Sequence, residues 1–200
     1  AARGTPALYE QLRPNALRKT SLRANVTAQL SSKADIFSSI GFITSDQRLP
    51  QTDNNTVGLL SNAFGGLGKA DNGRFGYRLY TPDTFFSNTN TQAINRFVGS
   101  QQANYRPTSW LLVNGTAGMD FTSRNDSELC RNGQCTDFSA RSRTGYKTNN
   151  RTENFQYTSQ LNVIATYNPF ESLRSTTTIG GQYTRRKFAR NGADGENLPP

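Results

Sequence analysis

The sequence predicts an all-β protein: an antiparallel transmembrane β-barrel fragment of about six strands in three hairpins, with short periplasmic turns and long extracellular loops. Three observations carry that expectation. Long stretches alternate apolar and polar residues with a period of two, which is strand geometry because successive side chains leave opposite faces of a pleated ribbon. Short turns alternate with long polar stretches along the chain, as in barrels that keep tight turns on one side of a membrane and extended loops on the other. Finally, no run approaches the roughly 20 apolar residues of a membrane helix, and the mean hydropathy is −0.70 with 34% apolar residues. Such values suit a barrel, where only alternate residues face lipid.

The first hairpin runs from "LRANVTAQL" through "SSKAD" into "IFSSIGFITS". Leu22, Ala24, Val26, Ala28 and Leu30 share one parity, and Arg23, Asn25, Thr27 and Gln29 the other. Leu22, Val26 and Leu30 also fit a spacing of four, but the Asn, Thr and β-branched content and the agreement of the later hairpins favour a strand. A second hairpin, "RFVGSQQANY" to "LLVNGTAGMDFTS", turns at "RPTSW" and sets Leu111, Val113, Ala117, Met119 and Phe121 against Asn114, Thr116 and Asp120. The third, "FQYTSQLNVIATY" to "LRSTTTIGGQYT", turns at "NPFES". Aligning the three turns superposes Ala28, Ala103 and Ala165, with Ile36, Leu111 and Leu173 on the outgoing arms.

The strands are expected to have about 10 to 14 residues, enough to cross a bilayer at the usual tilt. Between them lie polar stretches rich in Asn, Asp, Gly, Thr and Ser, expected as loops from Asp46 to about Thr91, from Arg124 to about Thr152, and after Lys187. Tyr105, Trp110, Tyr167 and Phe170 gather at the short turns, and Phe42, Phe121, Phe155 and Tyr183 toward the other strand ends, a pattern of two aromatic girdles. Arg23 and Arg174 fall on the polar parity, as a lipid-facing cation near mid-bilayer would cost about 2 to 4 kcal/mol.

Several chemistries lack their residues. With no histidine, the Ser-His-Asp and Cys-His nucleophile systems are excluded. The net charge of +9 comes from arginines scattered along the chain, whereas a nucleic-acid surface wants clustered cations with stacking aromatics. No nucleic-acid partner and no enzymatic activity are expected. In "FGGLGKADNG", Ala63 and Ala70 stand where a phosphate loop needs Gly and Ser or Thr. The carboxylate pairs Asp126 with Glu128 and Asp194 with Glu196 are expected in polar loops, with no apolar pocket to raise one pKa. No cofactor or metal site is read.

Cys130 and Cys135 flank the turn pair Asn132-Gly133; their spacing suits a small disulfide loop in an oxidising compartment, free thiols being the alternative. A zinc site would lack its other ligands. In "DQRLPQTDNN", Arg48 offers a forked donor for carboxylates, and Asp53, Asn54 and Asn55 suit sugar hydroxyls, which makes the four candidate ligand contacts. Asp53 or Asn54 could also cap a short helix over Thr56 to Phe64, with Val57, Leu60 and Phe64 along one side.

Three phrases, "SSIGFITSDQRLPQTDNNTVGLLSNAFGG", "RFVGSQQANYRPTSWLLVNGTAGMDFTSRND" and "NGADGENLPP", resemble the barrel region of SusC/RagA-type TonB-linked outer-membrane transporters. The resemblance implies that residues 1–200 are one partial barrel domain of a TonB-dependent receptor, from a wall of about 22 strands. It further implies an N-terminal plug and a TonB-contacting segment, expected before Ala1, a SusD-like surface lipoprotein as partner, contact with outer-membrane lipid, and an oligosaccharide or peptide ligand imported at the bacterial outer membrane. A secreted β-rich adhesin or surface structural protein would share the alternation and the polar loops, and is the alternative.

Overall fold

A computed structural model of the chain describes residues 16–49, 58–68, 73–81, 86–135 and 140–199. Six strands, β1 (Ala16–Ser31), β2 (Ala34–Leu49), β3 (Thr89–Thr108), β4 (Leu111–Cys130), β5 (Tyr146–Phe170) and β6 (Leu173–Glu196), form one sheet. Its order is β1-β2-β3-β4-β5-β6, and every neighbouring pair is antiparallel. Among the described residues two short helices, α1 (Leu59–Phe64) and α2 (Ala140–Thr144), lie in the longer connections.

The three short connections are two-residue turns, Ser32-Lys33, Ser109-Trp110 and Glu171-Ser172, tighter than the five-residue turns expected. Placing them shows that the first hairpin is offset by two residues in the alignment of Ala28, Ala103 and Ala165. Ile36 is the third residue after its turn, but Leu111 and Leu173 are the first after theirs. An offset of two leaves parity unchanged, so the assignment of faces survives it.

The strands run 16 to 25 residues, longer than the expected 10 to 14, because they reach into the polar stretches: β2 to Leu49, β3 from Thr89, β4 to Cys130, β5 from Tyr146 and β6 to Glu196. Polarity does not end a strand when its residues find cross-strand partners. In the extended part, Gln92 Nε2 donates to Asp126 Oδ1 at 2.9 Å and Arg124 Nε to the same oxygen at 2.9 Å. Both carboxylate pairs expected in loops therefore sit on strands. Helix α1 begins after Gly58, which caps it without a side-chain bond, rather than at Thr56; Asp53 and Asn54 lie outside the described residues. Its buried residue is the polar Asn62, which holds the following segment by accepting from Leu79 N at 2.9 Å and donating to Gly58 O at 2.9 Å.

Register fixes the faces, because residues directly opposite in an antiparallel pair share a side. One face carries Leu22, Phe42, Phe97, Phe121 and Phe155 in a single row across β1 to β5. Nearer the turns the same face continues through Ala24, Ile40, Gly99, Met119 and Tyr157, and then through Ala28, Ile36, Ala103, Gly115 and Leu161. Between these rows Ser38, Gln101 and Ser159 interrupt it; Ser38 and Gln101 stand opposite each other with Ser38 Oγ bonded to Gln101 Oε1.

Among the described residues nothing covers this apolar face. Leu22 is 64% exposed and Ile179 73%. Among the described residues the only buried apolar side chains are Cys130 and Tyr146. The chain exposes 14078 Å², while a compact monomer of its mass would expose about 9,300 Å². One layer of sheet has two surfaces and no interior.

Gly180 has a local reason. A Cβ there would lie 2.2 Å from Asn162 Oδ1 and 2.9 Å from Leu161 O, so the Asn162 side chain can lie across β6 only because residue 180 has none. Gly180→Ala is expected to destabilise the full-length protein by about 1 to 2 kcal/mol. Adding Asn162→Ala should recover part of that loss, a coupling of at least about 0.5 kcal/mol in urea midpoints; strictly additive losses would show that the Asn162 side chain does not cross β6.

Candidate solute-facing wall

The opposite face is the candidate site. Near the short turns it carries a chain of amides ending on a carboxylate: Asn114 Nδ2 donates to Asn104 Oδ1 at 2.6 Å, and Asn104 Nδ2 to Asp35 Oδ2 at 2.7 Å. Arg106 Nη1 closes it on Asp35 Oδ1 at 2.7 Å. Asn162 continues the row on β5. Further from the turns, Arg96 grips Asp120 in a two-pronged ion pair, Nε to Oδ1 at 3.0 Å and Nη2 to Oδ2, and Ser39 Oγ bonds Asn25 Oδ1 at 2.7 Å. Asp35, Asn104, Asn114, Arg96, Asp120, Ser39 and Asn25 are each bonded to a side chain of a neighbouring strand, so this part of the wall keeps its shape while presenting unused lone pairs and N–H groups.

Adjacent hairpins are tied at their turns. Arg106 N donates to Lys33 O at 2.7 Å and Thr166 N to Trp110 O at 2.8 Å, while Lys33 Nζ reaches Pro107 O at 2.7 Å. Lys33, Arg106, Trp110 and Arg174 line a recess of about 540 Å³ at this end. A second recess of about 300 Å³ opens at the far end of the same face, lined by Asn90, Gln92, Arg124, Asp126 and Glu128.

Beyond that recess the strands finish in a knot of polar groups. Tyr146 OH donates to Glu128 Oε1 at 2.6 Å, and Asn88 Nδ2 donates to Tyr146 OH at 3.0 Å and to Glu128 Oε1 at 3.1 Å. The Arg141 guanidinium on α2 lies 4.2 Å over the Tyr146 ring and pairs with Asp194 and Glu196 of β6. Burial first, and then the carboxylate of Glu128, push the Tyr146 phenol well above its usual value, so it stays a donor. Cys130 and Cys135 are joined as a disulfide with Cα atoms 5.7 Å apart. Next to it Gly145 has φ +78°, and a Cβ on it would meet Asn132 N at 2.7 Å.

Of the expected ligand contacts, Arg48 lies on β2 on the parity of Phe42, the face opposite the amide chain, and lines a separate recess with Asp46 and Arg18. Asp53, Asn54 and Asn55 lie outside the described residues. The wall groups Asp35, Asn104, Asn114, Arg96 and Asp120 were not singled out from sequence. A signal was available: Asn104 and Asn114 stand nearly symmetrically about Ser109-Trp110, as paired residues of one hairpin must. Among the described residues no group of three or more His, Cys, Asp or Glu could hold a metal ion, and no helix is long and apolar enough to cross a membrane.

No family model and no curated protein matches the chain. Solved structures do. The structure of the RagAB peptide transporter aligns with a TM-score of 0.69 at 12% identity, over 93% of this chain and 22% of that one. The RagAB peptide importer in its "closed-closed" state gives the same values, a TM-score of 0.69 at 12% identity over 93% and 22%. The chain thus spans about a fifth of the length of the structures it resembles, and the likeness is one of fold.

Two outcomes test the far-end knot in the full-length protein. Because the Tyr146 phenol is raised in the folded state, the stabilisation it supplies is whole below the ordinary value of about 10 and is lost as the pH climbs above it. Protease nicking within residues 131–145 should therefore accelerate above about pH 10 in the parent and less so in Tyr146→Phe; equal acceleration in both would separate Tyr146 from the knot. Gly145→Ala should raise the same nicking at neutral pH, reflecting about 1 to 3 kcal/mol of backbone strain, and unchanged nicking would contradict the left-handed backbone at this position.

Proposed function

We propose that this sheet is part of the wall of an outer-membrane importer barrel, its apolar face toward lipid and its amide and ion-pair face toward a hydrated lumen. One observation carries the reading: a single, uninterrupted layer with a continuous apolar face and no core of its own. An apolar face of this extent needs an apolar medium or a second layer, and no second layer exists among the described residues.

The register supplies a measure that fits a membrane. Ala34, the first residue after its turn, pairs with Tyr105, and Tyr105 with Val113, which stands two residues further from its own turn. Leu111 pairs with Ala165, and Ala165 with Thr177, four residues further from its turn. If the three turns share one level, the strands slip six residues over four strands, or one and a half per strand. With about 3.3 Å per residue and about 4.8 Å between strands, that is a tilt of about 45°. The ten residues from Leu111 to Phe121 then rise about 23 Å, against an apolar band about 25 Å tall in outer-membrane barrels.

In this reading the chain does no covalent chemistry. Its polar face guides solute past fixed hydrogen-bonding groups, and the connections at the far strand ends shape an outer mouth. A peptide or an oligosaccharide suits such a wall, since both carry many donors and acceptors and little charge. The resemblance read from the sequence adds a SusD-like surface lipoprotein at the mouth and energy coupling through TonB; the fold likeness to a peptide transporter favours peptide as cargo.

An arginine placed on each parity tests the assignment. Leu22→Arg and Val163→Arg are expected to lower membrane assembly of the full-length protein strongly, at about 2 to 4 kcal/mol for each cation facing mid-bilayer, whereas Gln29→Arg and Gln160→Arg should assemble nearly as the parent. Equal losses on both parities would remove the lipid-facing assignment, and a chain that folds in buffer without detergent or lipid would favour the adhesin.

A further inference from the structure

Toward the far strand ends the face of Phe42 also carries charge: Arg18 and Arg48 beside Asp46, Arg151 beside Glu153, Lys147, and two further cations on the last strand. Arg185 and Lys187 on β6 pair with Tyr157 and Phe155 on β5, so they stand on the apolar face beside the aromatic row. Height above the turns resolves the conflict. Phe121 and Tyr183 are each the eleventh residue after their turns and mark one level of aromatic rings. Arg185 and Lys187 follow Tyr183 by two and four residues, which at a tilt of about 45° puts them roughly 5 and 9 Å beyond that level. That is the depth of lipid headgroups, a layer of about 5 to 7 Å on each side of the hydrocarbon.

Their surroundings are selective. At the corresponding heights on β4 stand the neutral Ser123 and Asn125, the thirteenth and fifteenth residues after that turn. The nearby carboxylate on this face, Glu153, is already held by Arg151 at 2.8 Å. No ion pair joins Arg185 or Lys187 to a carboxylate among the described residues. Two cations on one face, two residues apart, offer a phosphate two positive partners.

Resting on the membrane reading above, we infer that Arg185 and Lys187 form a site for the phosphate of an anionic lipid headgroup in the outward leaflet. The site would hold a lipid at this point of the wall and fix the height of β6 in the bilayer.

The test uses the full-length protein, stripped of lipid in neutral detergent, and native mass spectrometry with added phosphatidylglycerol, phosphatidylcholine or inorganic phosphate. Arg185→Gln with Lys187→Gln should weaken phosphatidylglycerol binding about thirtyfold, the equivalent of about 1 kcal/mol for each basic residue near a membrane surface, and leave phosphatidylcholine binding unchanged. Arg186→Gln with Arg190→Gln, on the opposite face, should change phosphatidylglycerol binding by less than about threefold, or about 0.6 kcal/mol. The inference is overturned if the first pair keeps its affinity, if the second pair loses as much, or if inorganic phosphate alone displaces the lipid. Reconstitution into vesicles separates the two readings. A parent protein that does not insert sinks both, whereas insertion with unaltered lipid binding in the first pair sinks this one alone.

Discussion

A one-layer sheet cannot cover its own apolar face, and everything else in this molecule is arranged around that constraint. Globular domains hide an apolar face against a second layer; here strand follows strand in one plane from β1 to β6, and the aromatic row from Phe42 to Phe155 looks outward. Stability then has two sources, the ladder hydrogen bonds and whatever medium meets the rings. The polar side meets the same constraint in the opposite sense. Its groups are linked laterally, Asn114 to Asn104 to Asp35 and Arg96 to Asp120, so they need no core to be satisfied and remain open to a solute.

Register turns this two-sidedness into a location for each residue. The slip of one hairpin against the next gives the tilt, and counting outward from a turn gives the height. Ser38 and Gln101 sit amid the apolar band yet satisfy each other directly, which removes most of the cost of two polar groups there. Arg185 and Lys187 share a face with Tyr183, but stand above the level that Tyr183 and Phe121 mark. In the membrane reading proposed above, the first pair is tolerated by bonding and the two cations by height.

At the far end the solution changes from sheet to knot. Disulfide Cys130–Cys135 closes a small loop against the end of β4, and Arg141 reaches from α2 over Tyr146 to Asp194 and Glu196. This joins β4, β5 and β6 where the strands outrun any apolar band. Side-chain bonds hold the strands together there, and four of the buried side chains among the described residues, Cys130, Tyr146, Asn88 and Ser142, collect in this region or beside it, Asn62 on α1 being the other.

The local alternation of residues was enough to determine strand, face and hairpin, because the period of a pleated ribbon is written residue by residue and survives an error of two in alignment, as the first hairpin shows. Strand ends were not legible, because a ladder continues through Asn, Asp and Arg as readily as through Val when the opposite strand supplies partners, and those partners are tens of residues away. The pairing of Asn104 with Asn114 was within reach, since both flank one turn, but the link from Asn104 to Asp35 and the knot around Tyr146 emerged only from the folded sheet: they join residues from different hairpins, and only register brings such residues within bonding distance.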